Sequence, residues 1–213
     1  MVAVKICGIT KMRDLEAAAD SGADFLGFVI QVPSSPRNLT LQEARGLITR
    51  VPESIRSVAV TVMGEKEKLN DLLELGADYL QIHGAASATS GFPEELPEER
   101  VIIAVDGVSP DALYLATRLS RRFYAVLVDS AGEGGQGGTG VAHDWILSKR
   151  VRDAIHPRRL ILAGGLTPTN VQDAVRAVRP FGVDVSTGVE ERPGLKDHRK
   201  IRMFVARAKE ASR

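Results

Sequence analysis

The sequence predicts an α/β fold, a single (β/α)8 barrel with eight parallel strands that spans residues 1–213. Short runs of β-branched residues alternate with helical apolar patterns along the chain, in eight units of about 27 residues each. The stretch at residues 22–26 (GADFL) recurs at 76–80 (GADYL) and more loosely at 182–185 (GVDV), two and six units further on. Right-handed crossovers between such units imply a parallel sheet. A doubly wound open sheet shows the same alternation and is the alternative.

In the first half of the chain, the apolar runs place strands before helical patterns that begin at polar caps. Thr10 is predicted to cap the first helix and Thr40 the second. Gly22 and Gly76 fall where a helix ends, and a left-handed glycine is a common way to leave a helix; Gly182 is assigned the same role. The strands are predicted at residues 2–7, 25–30, 56–62, 79–82 and 100–105.

The second half repeats the alternation, with strands predicted at residues 124–129, 160–162 and 183–186. Thr167 and Pro168 combine a cap with a first-turn proline and predict a helix that runs to about Val178. The last helix has an apolar stripe with helical spacing, formed by Ile201, Phe204, Val205 and Ala208.

Composition and charge limit the classes of function. The formal net charge is +1, which argues against a nucleic-acid surface, since such a surface needs a strong basic excess. The single cysteine excludes an internal disulfide and a multi-cysteine metal site, and it is typical of a reducing cytoplasm. No apolar stretch approaches the ~20 residues that span a bilayer. We therefore predict a cytoplasmic protein that binds neither nucleic acid nor membrane.

In a (β/α)8 barrel the catalytic residues lie at the carboxyl ends of the strands and on the loops that follow. Cys7 ends the first strand, although a lone cysteine there is more often a small buried hydrophobe. Asp129 ends an apolar strand; a water-excluding loop beyond it would raise its pKa and suit it to act as an acid, and a solvated turn aspartate is the alternative. The guanidinium of Arg37 is suited to bind a carboxylate through two parallel hydrogen bonds. His83 is interpreted as a polar residue that lines the site.

Two glycine turns predict a phosphate site. Residues 162–166 (LAGGL) and 185–189 (VSTGV) follow strands seven and eight, whose loops usually bind phosphate through backbone N–H groups in this fold. The alternative is that these glycines only make tight turns. Residues 135–140 (GQGGTG) match G-x-G-x-x-G but begin beyond the strand end, and the next strand lacks the acidic residue of a dinucleotide site. We interpret them as a loop that closes over the site, or as a flexible linker.

These residues together resemble the phosphoribosylanthranilate isomerase family over nearly the whole chain. Gln31 departs from the family pattern, where an aromatic residue is expected, and Thr187 stands where serine is more common. The matching segments are residues 5–10 (KICGIT), 27–28 (GF), 35–37 (SPR), 80–84 (LQIHG), 128–130 (VDS), 137–140 (GGTG), 162–166 (LAGGL), 184–190 (DVSTGVE) and 193–197 (PGLKD).

The resemblance implies an Amadori rearrangement of a phosphosugar–anthranilate substrate in tryptophan biosynthesis, without metal or cofactor. It assigns Cys7 as general base, Asp129 as general acid and Arg37 as the ligand of the anthranilate carboxylate. His83 and Asp184 are expected to contact the substrate. Monomer and homodimer both remain open. The residues expected to bind phosphate are Gly164, Gly165, Ser186, Thr187 and Gly188.

Other phosphosugar barrels are the alternatives. The histidine-pathway isomerase performs the same rearrangement with a carboxylate as base, so Cys7 argues against it. Synthases of the thiamine-phosphate or indole-glycerol-phosphate type use the same phosphate loops. A non-catalytic phosphate-binding barrel is the alternative from another class, and Cys7 together with Asp129 disfavours it.

Strand alternation predicts one further contact. Lys5 and Cys7 are two residues apart and therefore share a face, and Asp184 and Ser186 have the same relation on strand eight. Closure of the barrel makes strands one and eight neighbours. Because neither charge should be buried alone, we expect a buried Lys5–Asp184 pair beneath the thiol, with Lys5 favouring the thiolate.

Overall fold

The computed structural model describes residues 1–63, 66–84, 96–129 and 145–212. Eight parallel strands close into a barrel in sequence order, with β1 hydrogen-bonded to both β2 and β8. This confirms the (β/α)8 barrel and excludes the open sheet. The strands are β1 (Ala3–Cys7), β2 (Phe25–Val29), β3 (Arg56–Val62), β4 (Tyr79–His83), β5 (Val101–Asp106), β6 (Ala125–Asp129), β7 (Arg159–Ala163) and β8 (Gly182–Val185).

Helices cover the outside of the barrel, and a short antiparallel hairpin follows β8. Each predicted strand boundary lies within one residue of the observed one. The helices in the described ranges are α1 (Met12–Asp20), α2 (Leu41–Ile48), α3 (Lys66–Leu73), α4 (Ala112–Leu119), α5 (Trp145–Ile155), α6 (Val171–Val178) and α7 (His198–Ala211). The hairpin strands are β9 (Glu190–Arg192) and β10 (Leu195–Lys196).

Two apolar layers hold the barrel, since successive side chains of a strand point to opposite faces. Val4 and Ile6 of β1 are fully buried in the outer layer beneath the helices. Ile102 and Leu127 are fully buried in the second cluster, which also contains Cys7. The predicted stripe of α7 is buried in the outer layer. Among the described residues, we find no helix with the length and apolar character needed to cross a membrane.

Local signals predicted some helix ends and missed others. Thr40 forms the predicted cap: its side chain accepts from the backbone N–H of Glu43, whose carboxylate accepts from that of Thr40. The cap at Thr10 is wrong, because α1 begins at Met12 and the Thr10 hydroxyl instead donates to the carbonyl of Gly194 at 2.9 Å. Thr167 caps the turn before α6, because its hydroxyl accepts from the N–H of Thr169 at 3.3 Å and its carbonyl accepts from that of Val171 at 3.1 Å. The helix itself begins later than predicted, at Val171.

The repeated glycines have two different roles. Gly22 and Gly76 have φ angles of 83° and 81°, which confirms the left-handed turns predicted before β2 and β4. Gly182 does not have this role, because it lies within β8, where an added Cβ would approach the carbonyl of Ala3 at 3.2 Å. The left-handed residue before β8 is Arg179, with φ of 51°.

Candidate active site

The thiol of Cys7 lies inside the carboxyl end of the barrel, beside a buried ion pair. Lys5 Nζ donates to Asp184 Oδ1 at 3.0 Å, and both side chains are buried, which confirms the predicted pair. Gly27 of β2 makes room for this arrangement. A Cβ at position 27 would lie 2.9 Å from the Cys7 sulfur and 3.1 Å from Lys5 Nζ. The close packing of these groups therefore requires glycine on the neighbouring strand.

Burial and charge act on the thiol in opposite directions. Burial raises the pKa of Cys7, and the Asp184 carboxylate adds to this effect. The charges of Lys5 and Lys196 both lower the pKa of Cys7. The pKa of Cys7 lies above its usual range in total, so Lys5 acts in the predicted direction but does not outweigh burial.

Arg37 is held by a carboxylate that sequence reasoning assigned no role. Its Nε and Nη2 donate to the two oxygens of Glu190 at 2.7 and 2.6 Å. Lys196 Nζ lies 3.0 Å from the same carboxylate and donates to the carbonyl of Ser186 at 3.1 Å. Although burial alone would raise the pKa of Glu190, hydrogen bonds and charge from Arg37 and Lys196 hold it below its usual range. The sequence signal for Glu190 and Lys196 was their place in two of the segments that resemble the isomerase family, residues 184–190 and 193–197.

The two predicted phosphate loops contact each other. Gly164 and Gly165 have φ angles of 86° and 61°, a region that favours glycine. A Cβ at Gly188 would overlap the carbonyl oxygen of Leu166, so the loop after β8 approaches the loop after β7 through a glycine. These contacts bring the two predicted turns together. Ser186 also lies near the loop after β1, because its hydroxyl is 3.0 Å from the position that a Cβ on Gly8 would take.

His83 ends β4 and lies close to Gln81 of the same strand. The Gln81 amide nitrogen and His83 Nε2 are 2.8 Å apart. Burial, together with the charge of Lys5, lowers the pKa of His83 to about 4, and Asp184 opposes this only in part. The ring is therefore neutral at physiological pH. A neutral imidazole has one N–H donor and one acceptor nitrogen, so the ring can donate a single hydrogen bond.

We predict that His83 makes the protein less stable in mild acid. A group whose pKa is lowered on folding takes up a proton more readily in the unfolded chain, so stability is lost as the pH falls from 6.5 towards 4. His83→Gln should remove about 2 kcal/mol of the loss in unfolding free energy between pH 7.5 and 5. Denaturant titrations at the two pH values measure it. His156→Gln, at an exposed position, is the matched control; equal losses in wild type and His83→Gln would contradict the prediction.

Asp129 ends β6 at the same edge, in register with Asp106 of β5 and Ala163 of β7. Its carbonyl accepts from the N–H of Gly107 at 2.6 Å. The predicted loop at residues 135–140 lies outside the described residues. Of the predicted residues, the structure thus brings Cys7 and Asp184 together around Lys5. It places Asp129 at the end of β6, three strands from β1 around the barrel.

A closed (β/α)8 barrel with a buried thiol, charged groups and glycine loops at its carboxyl edge is the arrangement of a barrel enzyme that acts on a small molecule at that edge. The family model described as N-(5'phosphoribosyl)anthranilate (PRA) isomerase matches residues 4–207. The chain belongs to this family.

Individual members of the family are similar to this chain over nearly its full length. The chain is 44% identical to the N-(5'-phosphoribosyl)anthranilate isomerase of Methanothrix thermoacetophila, over 98% of this chain and 99% of that protein. A crystal structure of a phosphoribosyl anthranilate isomerase with reduced 1-(o-carboxyphenylamino)-1-deoxyribulose 5-phosphate has a TM-score of 0.81 and 37% identity, covering 99% and 100% of the two chains. A structure of monomers generated from the dimeric isomerase of Thermotoga maritima has a TM-score of 0.82 and 36% identity at the same coverage.

Proposed function

We propose that this chain catalyses the Amadori rearrangement of N-(5-phosphoribosyl)anthranilate to 1-(2-carboxyphenylamino)-1-deoxyribulose 5-phosphate in tryptophan biosynthesis. The observation that carries the proposal is the buried Cys7 thiol, set among charged groups at the barrel edge that also holds Asp129 and the two glycine loops. The membership of the chain in the isomerase family supports the same reaction.

In the proposed mechanism, Asp129 acts first as general acid. It donates a proton to the furanose ring oxygen as the bond from C1 to that oxygen breaks, and the lone pair of the anthranilate nitrogen forms the Schiff base. Cys7, as thiolate, then removes the proton from C2, and the released electron pair gives an enolamine that tautomerises to the ketone. Both steps are proton transfers of the kind that positioned side chains accelerate.

The charges around Cys7 support its role as base. Lys5, Arg37 and Lys196 are cations, and each interacts electrostatically with the thiol. Against them stand the carboxylates of Asp184 and Glu190. The five groups carry one net positive charge, which a thiolate neutralises, although burial opposes its formation.

The remaining residues bind the substrate. Arg37 holds the anthranilate carboxylate with N–H donors that Glu190 does not use, since a guanidinium has five. Neutral His83 donates a hydrogen bond, and Asp184 contacts the sugar from its pair with Lys5. The phosphate is bound by backbone N–H groups and hydroxyls of the two loops, from Gly164, Gly165, Ser186, Thr187 and Gly188.

The reaction is assigned to the cytoplasm, where a reducing environment keeps the single thiol available as a base. All residues of the proposed mechanism lie on one barrel. A monomer and a homodimer can therefore both carry the activity.

The test is incubation of the purified protein with freshly made N-(5-phosphoribosyl)anthranilate, with the loss of substrate and the identity of the product followed together. We expect conversion to the deoxyribulose product without added metal or cofactor. Absence of turnover by protein shown to be folded would contradict the proposal. Tight binding of the reduced product analogue without turnover would instead support the non-catalytic phosphate-binding barrel.

A further inference from the structure

The hairpin after β8 crosses the carboxyl edge of the barrel and contacts the loops after β1 and β2. We call residues 190–197 the strap. At its tip, Gly194 accepts from the hydroxyl of Thr10 at 2.9 Å. The same glycine, with φ of 78°, packs so closely on Pro36 that a Cβ would lie 2.8 Å from the Pro36 carbonyl. The strap therefore sets the backbone position of the residue immediately before Arg37.

The strap also fixes the side chain of Arg37. Glu190, which is 6% exposed, accepts from Nε and Nη2 of the guanidinium through both of its oxygens. A bidentate pair of this kind defines the plane and direction of the guanidinium as well as its distance. The stem of Arg37 lies on Gly8, where a Cβ would come within 2.5 Å of the arginine Cδ. The side chain is thus held at its head by Glu190 and along its stem by Gly8.

Lys196 links this arginine to the second glycine loop. Its side chain is fully buried, and Nζ contacts the Glu190 carboxylate at 3.0 Å and the Ser186 carbonyl at 3.1 Å. Burial lowers the pKa of Lys196, and the Glu190 carboxylate opposes this effect. A buried ammonium needs such partners, because an unpaired charge in the interior is costly. The contacts run without a break from Arg37 through Glu190 and Lys196 to Ser186.

We propose that Glu190 and Lys196 are a positioning pair that orients Arg37 towards the carboxylate of the substrate and holds it at a set distance from the phosphate loop at Ser186. This inference deepens the proposed function and rests on it. Neither residue touches the reacting atoms. The pair connects Arg37, the proposed ligand of the carboxylate, to the phosphate loop at Ser186. Recognition of the carboxylate therefore depends on the strap.

The experiment compares two ligands that differ only in the carboxylate. One is the reduced product analogue, and the other is the matched anilino compound without the ring carboxylate. Calorimetric titration gives Kd for both, and their ratio is the preference for the carboxylate. A charge-assisted hydrogen bond predicts a preference of about 10- to 100-fold for the wild type, and Arg37→Ala should abolish it.

Glu190→Gln should remove most of this preference while Kd for the ligand without carboxylate stays near that of the wild type. The amide keeps one acceptor but sets its NH2 group against the guanidinium, so the bidentate geometry is lost. The double variant Glu190→Gln/Lys196→Met removes both charges of the buried pair, so that neither is left without a partner. It should show the same loss of preference for the carboxylate. Glu98→Gln is the matched control. Glu98 lies before β5 and pairs at 2.6 Å with Arg122, which lies before β6, so this pair is at the amino end of the barrel. Its loss should leave both Kd values unchanged.

The outcomes separate this inference from the function on which it rests. A wild type without preference, or an unchanged preference in Arg37→Ala, would show that the assignment of Arg37 is wrong. A preference that depends on Arg37 but persists or grows in both Glu190 variants would overturn the inference alone. An unchanged preference would mean that Glu190 does not orient the guanidinium, and a larger one would mean that Glu190 competes with the ligand for it.

Discussion

Cys7→Ala is expected to lower kcat by about 10²- to 10⁴-fold, the range in which positioned general acids and bases contribute to catalysis. The thiol is the proposed base for the C2 proton, and alanine leaves no group at this position to accept it. Cys7 is buried beside Gly27 and interacts electrostatically with Lys5, so the change removes one sulfur atom from a packed site. Steady-state kinetics with N-(5-phosphoribosyl)anthranilate measure the effect.

Ligand binding separates a lost base from a damaged site. Kd for the reduced product analogue should stay near the wild-type value in Cys7→Ala, because this residue is assigned no part in binding. Asp129→Asn is the parallel variant for the acid: its amide keeps the shape of the carboxyl group but carries no acidic proton, and kcat should fall in the same range. Near-normal turnover by either variant would show that its assigned role is wrong.

Lys5→Met is expected to lower the free energy of unfolding by about 3–5 kcal/mol, the usual cost of removing one partner of a buried ion pair. The change leaves the Asp184 carboxylate inside the barrel without its 3.0 Å partner. Burial lowers the pKa of Lys5, but Asp184 and Cys7 raise it to above its usual value. The ammonium group is therefore kept charged inside the barrel by these neighbours. Denaturant unfolding at neutral pH measures the loss.

A double variant and an exposed pair make this test specific. Lys5→Met/Asp184→Leu removes both buried charges and should recover most of the lost stability. Lys149→Met breaks the pair with Asp153 at 2.6 Å on the surface, where both side chains are about half exposed, and should cost under about 1 kcal/mol. A Lys5→Met protein as stable as the wild type would mean that the ion pair contributes nothing to folding.

The fold could be predicted because its determinants are local and repeated. Strand boundaries followed from runs of β-branched residues, and Gly22 and Gly76 marked left-handed turns that few other residues adopt. Thr40 formed the expected cap, since Glu43 three residues later completes a capping box. Thr10 does not cap the helix, because its hydroxyl donates to the carbonyl of Gly194, 184 residues away. No local pattern carries that information.

The site divides in the same way. The sequence by itself determined the barrel, the residue types at its carboxyl edge and the facing of Lys5 towards Asp184, because strand periodicity and the order of strands decide which side chains share the interior. Only the tertiary structure decided that Arg37 is held by Glu190, 153 residues away, and that burial outweighs Lys5 at the Cys7 thiol. Bidentate geometry and pKa depend on distances and desolvation, and these exist only after distant segments have packed together.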